Sequence, residues 1–287
     1  MPIKHATLCI ASVLLSVAVT TACGKSPESE TVDSSSRLKL ELDAYMEPLE
    51  MDGFSGVVLV VLHGEPVYRR AFGFAGCNHR VPMTPDHLLM IGSITKELTQ
   101  ILAFKLAEEG RLNLDDQIGR FFPSLPEEKA VITVREILDH RAGLPDLVNE
   151  QGEPVGYTIK YDYEPVSREQ MLDRFAKAQM VFDPGEQEQY SNLGYDFLAA
   201  LLEETGGASY IELLRSRIFE PAGMETIDYV FANPEKLQFA DGCRRDGSRW
   251  GSPATDEMWG DDGPSWNLKG AGGLIGRADD LSALFDG

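Results

Sequence analysis

Hydrophobic positions recur with two different periods along the chain. In 37–51, Leu38, Leu42, Tyr45 and Leu49 return at helical spacing, which predicts a helix. In 54–62 the residues are β-branched and aliphatic, which predicts a buried strand. His63-Gly64-Glu65-Pro66 is a turn signal, and 67–72 predicts a second strand returning from it. A long helix is expected over 93–109, with Ile94, Leu98, Ile101, Leu102 and Leu106 on one stripe and Gly110 as its stop. Helical patterning then dominates to about residue 220, best developed over 133–140, 168–178, 193–204 and 210–219. The remainder is irregular until a short helix over 278–285. The class expected is α+β: an antiparallel sheet flanked by helices, with an all-helical subdomain inserted at about 105–220. Two strands cannot cover so large a helical block, so the last strands of the sheet are expected to be missing.

The first residues read as an address. A short basic head with Lys4 precedes a mostly apolar run over 6–19. That run is shorter than the roughly 20 residues of a membrane-spanning helix, but it fits a secretory signal over 1–22. Thr20-Thr21-Ala22-Cys23 resembles the lipobox of bacterial lipoproteins, which implies lipid attachment at Cys23 and a cell-envelope or periplasmic location. Residues 24–36 (GKSPESETVDSSS) are polar and Ser-rich, and are read as a flexible tether following Cys23. The folded domain is expected over 37–287. No later segment is apolar enough to span a bilayer, the longest aliphatic run being 57–62.

Composition narrows the chemistry. With 46 acids against 26 bases the formal net charge is −20, which argues against a nucleic-acid partner or a polybasic grip on anionic lipid. The five histidines are scattered and no HExxH occurs, so neither a metal nor another cofactor is expected. Four cysteines are too few for a disulfide scaffold. After export Cys77 and Cys243 remain, either bridged or as two buried thiols.

Ser93 and Lys96 place a hydroxyl and an amine three residues apart at a helix start, on a shared face. Unpaired amides of the first turn favour negative charge at Ser93, and burial lowers a lysine pKa from about 10.4 towards neutrality. A neutral Lys96 could then take the serine proton. The spacing alone is weak, since Ser36 and Lys39 repeat it. Ser93, however, follows Gly92 and opens the most apolar helix. Tyr190-Ser191-Asn192 is a second constellation, between the turn signal Asp183-Pro184-Gly185 and a predicted helix. A tyrosine beside a cationic lysine can relay protons, and Asn192 can hold both the lysine and a carbonyl. Read alone, Tyr190 would be a half-buried core tyrosine and Asn192 an N-cap.

Together these motifs resemble the class C β-lactamase-related serine hydrolases, which share a fold with penicillin-binding proteins and DD-peptidases. Phe54-Ser55-Gly56-Val57, Ile91-Gly92-Ser93, Glu108-Glu109-Gly110-Arg111-Leu112, Ile137-Leu138-Asp139-His140 with Gly143-Leu144-Pro145, Pro184-Gly185, Tyr190 to Tyr195 and Gly270-Ala271-Gly272-Gly273-Leu274 occur in the family's order. The resemblance implies Ser93 as acylated nucleophile, Lys96 and Tyr190 sharing the acid and base roles, and Asn192 positioning the lysine and substrate. It also implies an oxyanion held by the Ser93 N–H and a strand N–H, and a small-molecule or peptide substrate with an amide or ester bond. The family's third motif, Lys-Thr-Gly or His-x-Gly, does not occur after Asn192. The chain is therefore read as a C-terminally truncated member. The alternative expectation is an inactive relative acting as a cell-envelope binding protein. His140-Arg141-Ala142-Gly143 differs from the commoner Thr-Ser-Gly, and no function is attached to it.

Overall fold

The computed structural model describes residues 27–155, 165–229, 231, 236–244, 246–251 and 263–285, with side chains from 36 onward and without that of residue 250. The chain divides into two units, Met1–Asp43 and Ala44–Gly287. Helix α1, Pro27–Met51, begins ten residues before the expected start, inside the segment read as a tether. Pro27 stands where a proline is pre-organised for a first turn, its fixed φ suiting the helix and its missing N–H costing no helical bond there. Those effects do not depend on an apolar period, which is why periodicity missed them. The signal region and Cys23 lie outside the described residues.

Strands β1 (Gly56–Leu62) and β2 (Glu65–Phe72) form the expected antiparallel hairpin. Its turn is tighter than expected. His63 and Gly64 both adopt positive φ, 54° and 80°, as a two-residue hairpin turn with the right twist requires. Pro66 therefore sits inside the ladder opposite Val61, and the register shifts between Val60 and Val61. A proline cannot donate to the ladder, so a bulge beside it is the natural accommodation. Strand β3 (Leu89–Met90) pairs antiparallel with β6 (Ile275–Gly276), and β4 (Gly242–Cys243) with β5 (Arg249–Gly251). These strands of two or three residues fall where the sequence reads as irregular; they are too short to carry a period of two. The architecture is α+β, with small antiparallel sheets flanked by helices.

Helix α2 spans Thr95–Glu108, with Gly110 (φ 72°) just past its end. Short helices α3 (Glu127–Ala130) and α4 (Val134–Leu138) follow. Then come α5 (Arg168–Lys177), α6 (Asn192–Gly206) and α7 (Tyr210–Leu214), the last running through a π-helical turn at Arg215–Phe219 into α8 (Glu220–Ala222). Capping boxes Thr133/Glu136 and Ser167/Gln170 fix the starts of α4 and α5. Helix α6 is buried on almost every side and packs against α2, α4, α5 and α7. Phe175 stacks on Phe197 at 3.8 Å in this core. α9 (Ala278–Ser282) lies against β1.

Cys77 and Cys243 are joined in a disulfide, with Cα atoms 5.3 Å apart across a sequence separation of 166. The two-thiol alternative is set aside. The bridge ties the segment after β2 to strand β4 near a small apolar cluster of Ala75, Met83 and Ala240. Cys77→Ser is expected to lower unfolding stability by about 2 kcal/mol, at the modest end for long loops. Urea melts of wild type and variant check this, and coincident curves would assign the bridge no stabilising role.

Candidate active site

Ser93 lies in a 3₁₀ turn, Gly92–Ile94, that runs into α2 rather than on the α-helix itself. In a 3₁₀ turn side chains three apart nearly eclipse, which closes the Ser93–Lys96 gap. Lys96 Nζ is 3.4 Å from Ser93 Oγ. Ser93 is exposed, whereas Lys96 is only 4% exposed. An ammonium so buried needs partners for its three donors. Asn192 Oδ1 accepts at 2.7 Å and the Ala271 carbonyl at 2.6 Å. Two N–H bonds are thereby committed, and the third position faces Ser93 Oγ. When Lys96 is charged that position holds a proton; when neutral it holds the lone pair.

Tyr190 reaches the same serine. Its Oη is 2.8 Å from Ser93 Oγ, and Lys96 Nζ lies 4.8 Å from the centre of its ring. Tyr190 is 43% exposed, half-buried as the residue read alone suggests, yet its hydroxyl meets Ser93, so it is not a packing residue alone. Nor is Asn192 the cap of α6. Ser191 is, its Oγ accepting from Gly194 N–H and donating to the Pro145 carbonyl. Asn192 is thus the first helical residue, with its side chain free to face Lys96. The structure brings Ser93, Lys96, Tyr190 and Asn192 into one cluster.

Residues that the sequence reading left unassigned hold this cluster. Asp146 Oδ1 accepts from both the backbone N–H and Nδ2 of Asn192, at 3.0 and 2.8 Å. A carboxylate only accepts, so the amide nitrogen of Asn192 must face Asp146 and its oxygen must face Lys96. The available signal was position: Asp146 directly follows Gly143-Leu144-Pro145. The Ala271 carbonyl is placed by the 270–274 loop. Buried Asp196 accepts there from the N–H groups of Gly270 and Ala271, at 3.1 and 3.2 Å. Leu274 binds both sides of the nucleophile turn, accepting from Ile91 N–H at 2.9 Å and donating to Thr95 Oγ1 at 3.3 Å.

His140 stands on the wall behind Tyr190. It is half-buried and has positive φ, 55°. Its pKa is held below the usual 6.5, first by burial and then by the nearby Lys96. Tyr195 forms the floor beyond it. Burial pushes its hydroxyl up to about 12, so it stays protonated and donates to the Leu138 carbonyl at 2.8 Å. Among the described residues no group of three or more His, Cys, Asp or Glu is placed to hold a metal ion.

A family model described as Beta-lactamase matches residues 42–287. The chain belongs to the beta-lactamase family. It is similar to esterase EstB of Burkholderia gladioli, 30% identical over 228 residues, covering 76% of this chain and 58% of the relative. It is also 30% identical over 242 residues to a D-aminopeptidase of Brucella anthropi, covering 82% and 42%. Penicillin-binding protein 4* of Bacillus subtilis is 30% identical over 178 residues, covering 61% and 38%. The chain therefore spans between 38% and 58% of the length of these relatives. Among solved structures, a class C beta lactamase superposes with a TM-score of 0.70 at 20% identity, covering 88% of this chain and 65% of that one, a likeness of fold. The octameric penicillin-binding protein homologue from Pyrococcus abyssi gives a TM-score of 0.65 at 26% identity, covering 88% and 55%.

Proposed function

We propose that this member of the beta-lactamase family is a serine hydrolase that forms an acyl-enzyme on Ser93 and cleaves amide or ester bonds. The observation that carries this is the placement of Ser93 Oγ between Tyr190 Oη and Lys96 Nζ, at 2.8 and 3.4 Å, with the lysine's other two N–H bonds already committed. Serine is a poor nucleophile at neutral pH without a base in contact. Here two proton-handling groups, themselves neighbours, both meet it.

As Ser93 Oγ attacks a carbonyl carbon, its proton passes to the Lys96–Tyr190 pair and the carbonyl π electrons move onto oxygen. The Ser93 N–H, at the start of the turn leading into α2, is suited to stabilise that oxyanion. Collapse expels the amine or alcohol, which takes the proton from the same pair. Water then cleaves the acyl ester by the reverse relay. The names of the relatives, an esterase and a D-aminopeptidase, support ester and amide substrates of small-molecule or peptide size.

The reading includes export. The Cys77–Cys243 bridge suits an oxidising compartment, and the leader with Cys23 suits a lipid-anchored protein of the cell envelope or periplasm.

A fluorophosphonate probe tests the proposal. Its phosphorus should bond to Ser93 Oγ with loss of fluoride, and labelling should vanish in Ser93→Ala. Wild type that keeps a cooperative melt yet labels no better than Ser93→Ala would instead make the chain a binding protein that retains the fold. A fluorescent penicillin in parallel reports whether β-lactams are among the acylating substrates.

A further inference from the structure

We propose that His140 is a positioning residue for Tyr190, a role resting on the serine hydrolase reading above. It holds the chain on both sides of that tyrosine. Its carbonyl accepts from Gln189 N–H at 2.8 Å, and its ring Nδ1 accepts from Ser191 N–H at 3.1 Å. Residues 189 and 191 are thus both pinned to residue 140. Between them the Tyr190 ring lies over the imidazole, with centroids 4.6 Å apart and planes tilted by 34°. The other side of the imidazole environment is closed by Tyr195, at 5.0 Å. Ring and backbone of Tyr190 are therefore located by one residue, and Tyr190 Oη is left 2.8 Å from Ser93 Oγ.

The protonation state follows from the donors. A backbone N–H can only donate, so Nδ1 must carry a lone pair and the ring proton sits on Nε2. Burial and Lys96 both favour this neutral ring, against the opposing pull of Glu188 and Asp139. The positive φ of His140 is also required. It turns the chain at the end of α4 so that carbonyl and ring both face 189–191, a conformation disfavoured for a residue with a Cβ and tolerated best by Gly and Asn. Strain of this kind persists where surrounding structure over-determines it, commonly at functional sites.

The test is a double-mutant cycle on the rate of acylation by the fluorophosphonate probe, using the full chain. His140→Gly suits the backbone and removes both ring and acceptor. It is expected to slow acylation by about 10- to 100-fold with the far-UV circular dichroism unchanged. Tyr190→Phe is expected to slow it by about 10²–10⁴-fold. If His140 works by placing the Tyr190 hydroxyl, adding His140→Gly to Tyr190→Phe should cost less than twofold more. Wild-type rate in His140→Gly, or the same fold-loss in both backgrounds, would overturn the proposal while leaving Ser93 as the nucleophile. His140→Asn keeps the positive φ and an acceptor, and it carries the same cycle if the glycine variant does not fold. Wild type labelling no better than Ser93→Ala would remove the hydrolase reading, and this role with it.

Discussion

Lys96→Ala is expected to slow acylation of Ser93 by about 10⁴-fold, at the top of the range for an acid–base group. The size follows from how few atoms serve the serine. Ser93 Oγ has two proton-handling contacts, and Tyr190 is itself poised over Lys96 Nζ, so losing the amine disables both halves of the relay. Groups that act as a unit lose most of their effect when any one is removed. The fold should survive. The substitution leaves Asn192 Oδ1 and the Ala271 carbonyl without their donor, a loss of about 1–3 kcal/mol each if the site stayed dry. The vacated volume opens beside exposed Ser93, where water can enter and bond to both. Lys96→Arg separates two roles. Arginine keeps the positive charge and the donors but does not release a proton at neutral pH. It should be as slow as the alanine variant if Lys96 moves protons. A near-native rate in Lys96→Arg would make Lys96 an electrostatic anchor, and a rate within tenfold of wild type in Lys96→Ala would take it out of the reaction. Timed fluorophosphonate labelling across pH, beside thermal melts, decides among these.

Ser93 and Lys96 were legible as a pair from residue type and short spacing, whereas Tyr190 and Asn192 were joined to them by the family resemblance. A hydroxyl and an amine three apart before an apolar helix already point into one space. The supporting residues were not legible, because their roles depend on contacts between distant segments. Asp146 acts on Asn192 across 46 positions, and Asp196 acts on Ala271 across 75. Ala271 contributes only its carbonyl, which any residue possesses, so no side chain could signal it. His140 was visible as the end of a segment shared with the family, beside the departure at Arg141-Ala142, but a histidine becomes a positioning residue only through what stacks on it. The same distinction governs the fold. Helices α2, α5 and α6 carry enough turns to show a period, whereas β3 and β6 pair through backbone groups over two residues each. The long start of α1 was hidden for a third reason: its first residue is a proline suited to a first turn, and residues 27–36 carry no apolar period.

Gly270→Ala is expected to destabilise the folded chain by about 3 kcal/mol or more and to weaken the site with it. A Cβ at this position would stand 2.0 Å from the Tyr195 carbonyl oxygen, 2.8 Å from its carbon and 3.1 Å from Ala199 Cβ. The first two are backbone atoms of buried helix α6, so no side-chain rotation relieves the overlap. Overpacking a well-filled interior costs about 1–3 kcal/mol, and more where backbone must move. The displaced loop is the one whose next residue supplies a carbonyl to Lys96, so acylation should fall alongside stability. Gly272→Ala is the internal control. It lies two residues on in the same loop, and its added Cβ would meet nothing nearer than Leu268 Cδ2 at 3.5 Å, an ordinary contact. Its melting temperature should stay within about 2 °C of wild type, whereas Gly270→Ala should melt roughly 6–12 °C lower for a domain of this size. Equal melting temperatures in the two variants would mean that the loop does not lie against α6 as described, and the carbonyl placed on Lys96 would lose its support. Lower stability in Gly270→Ala together with an unchanged acylation rate would separate the loop's packing from the lysine, shifting the hold on the amine towards Asn192.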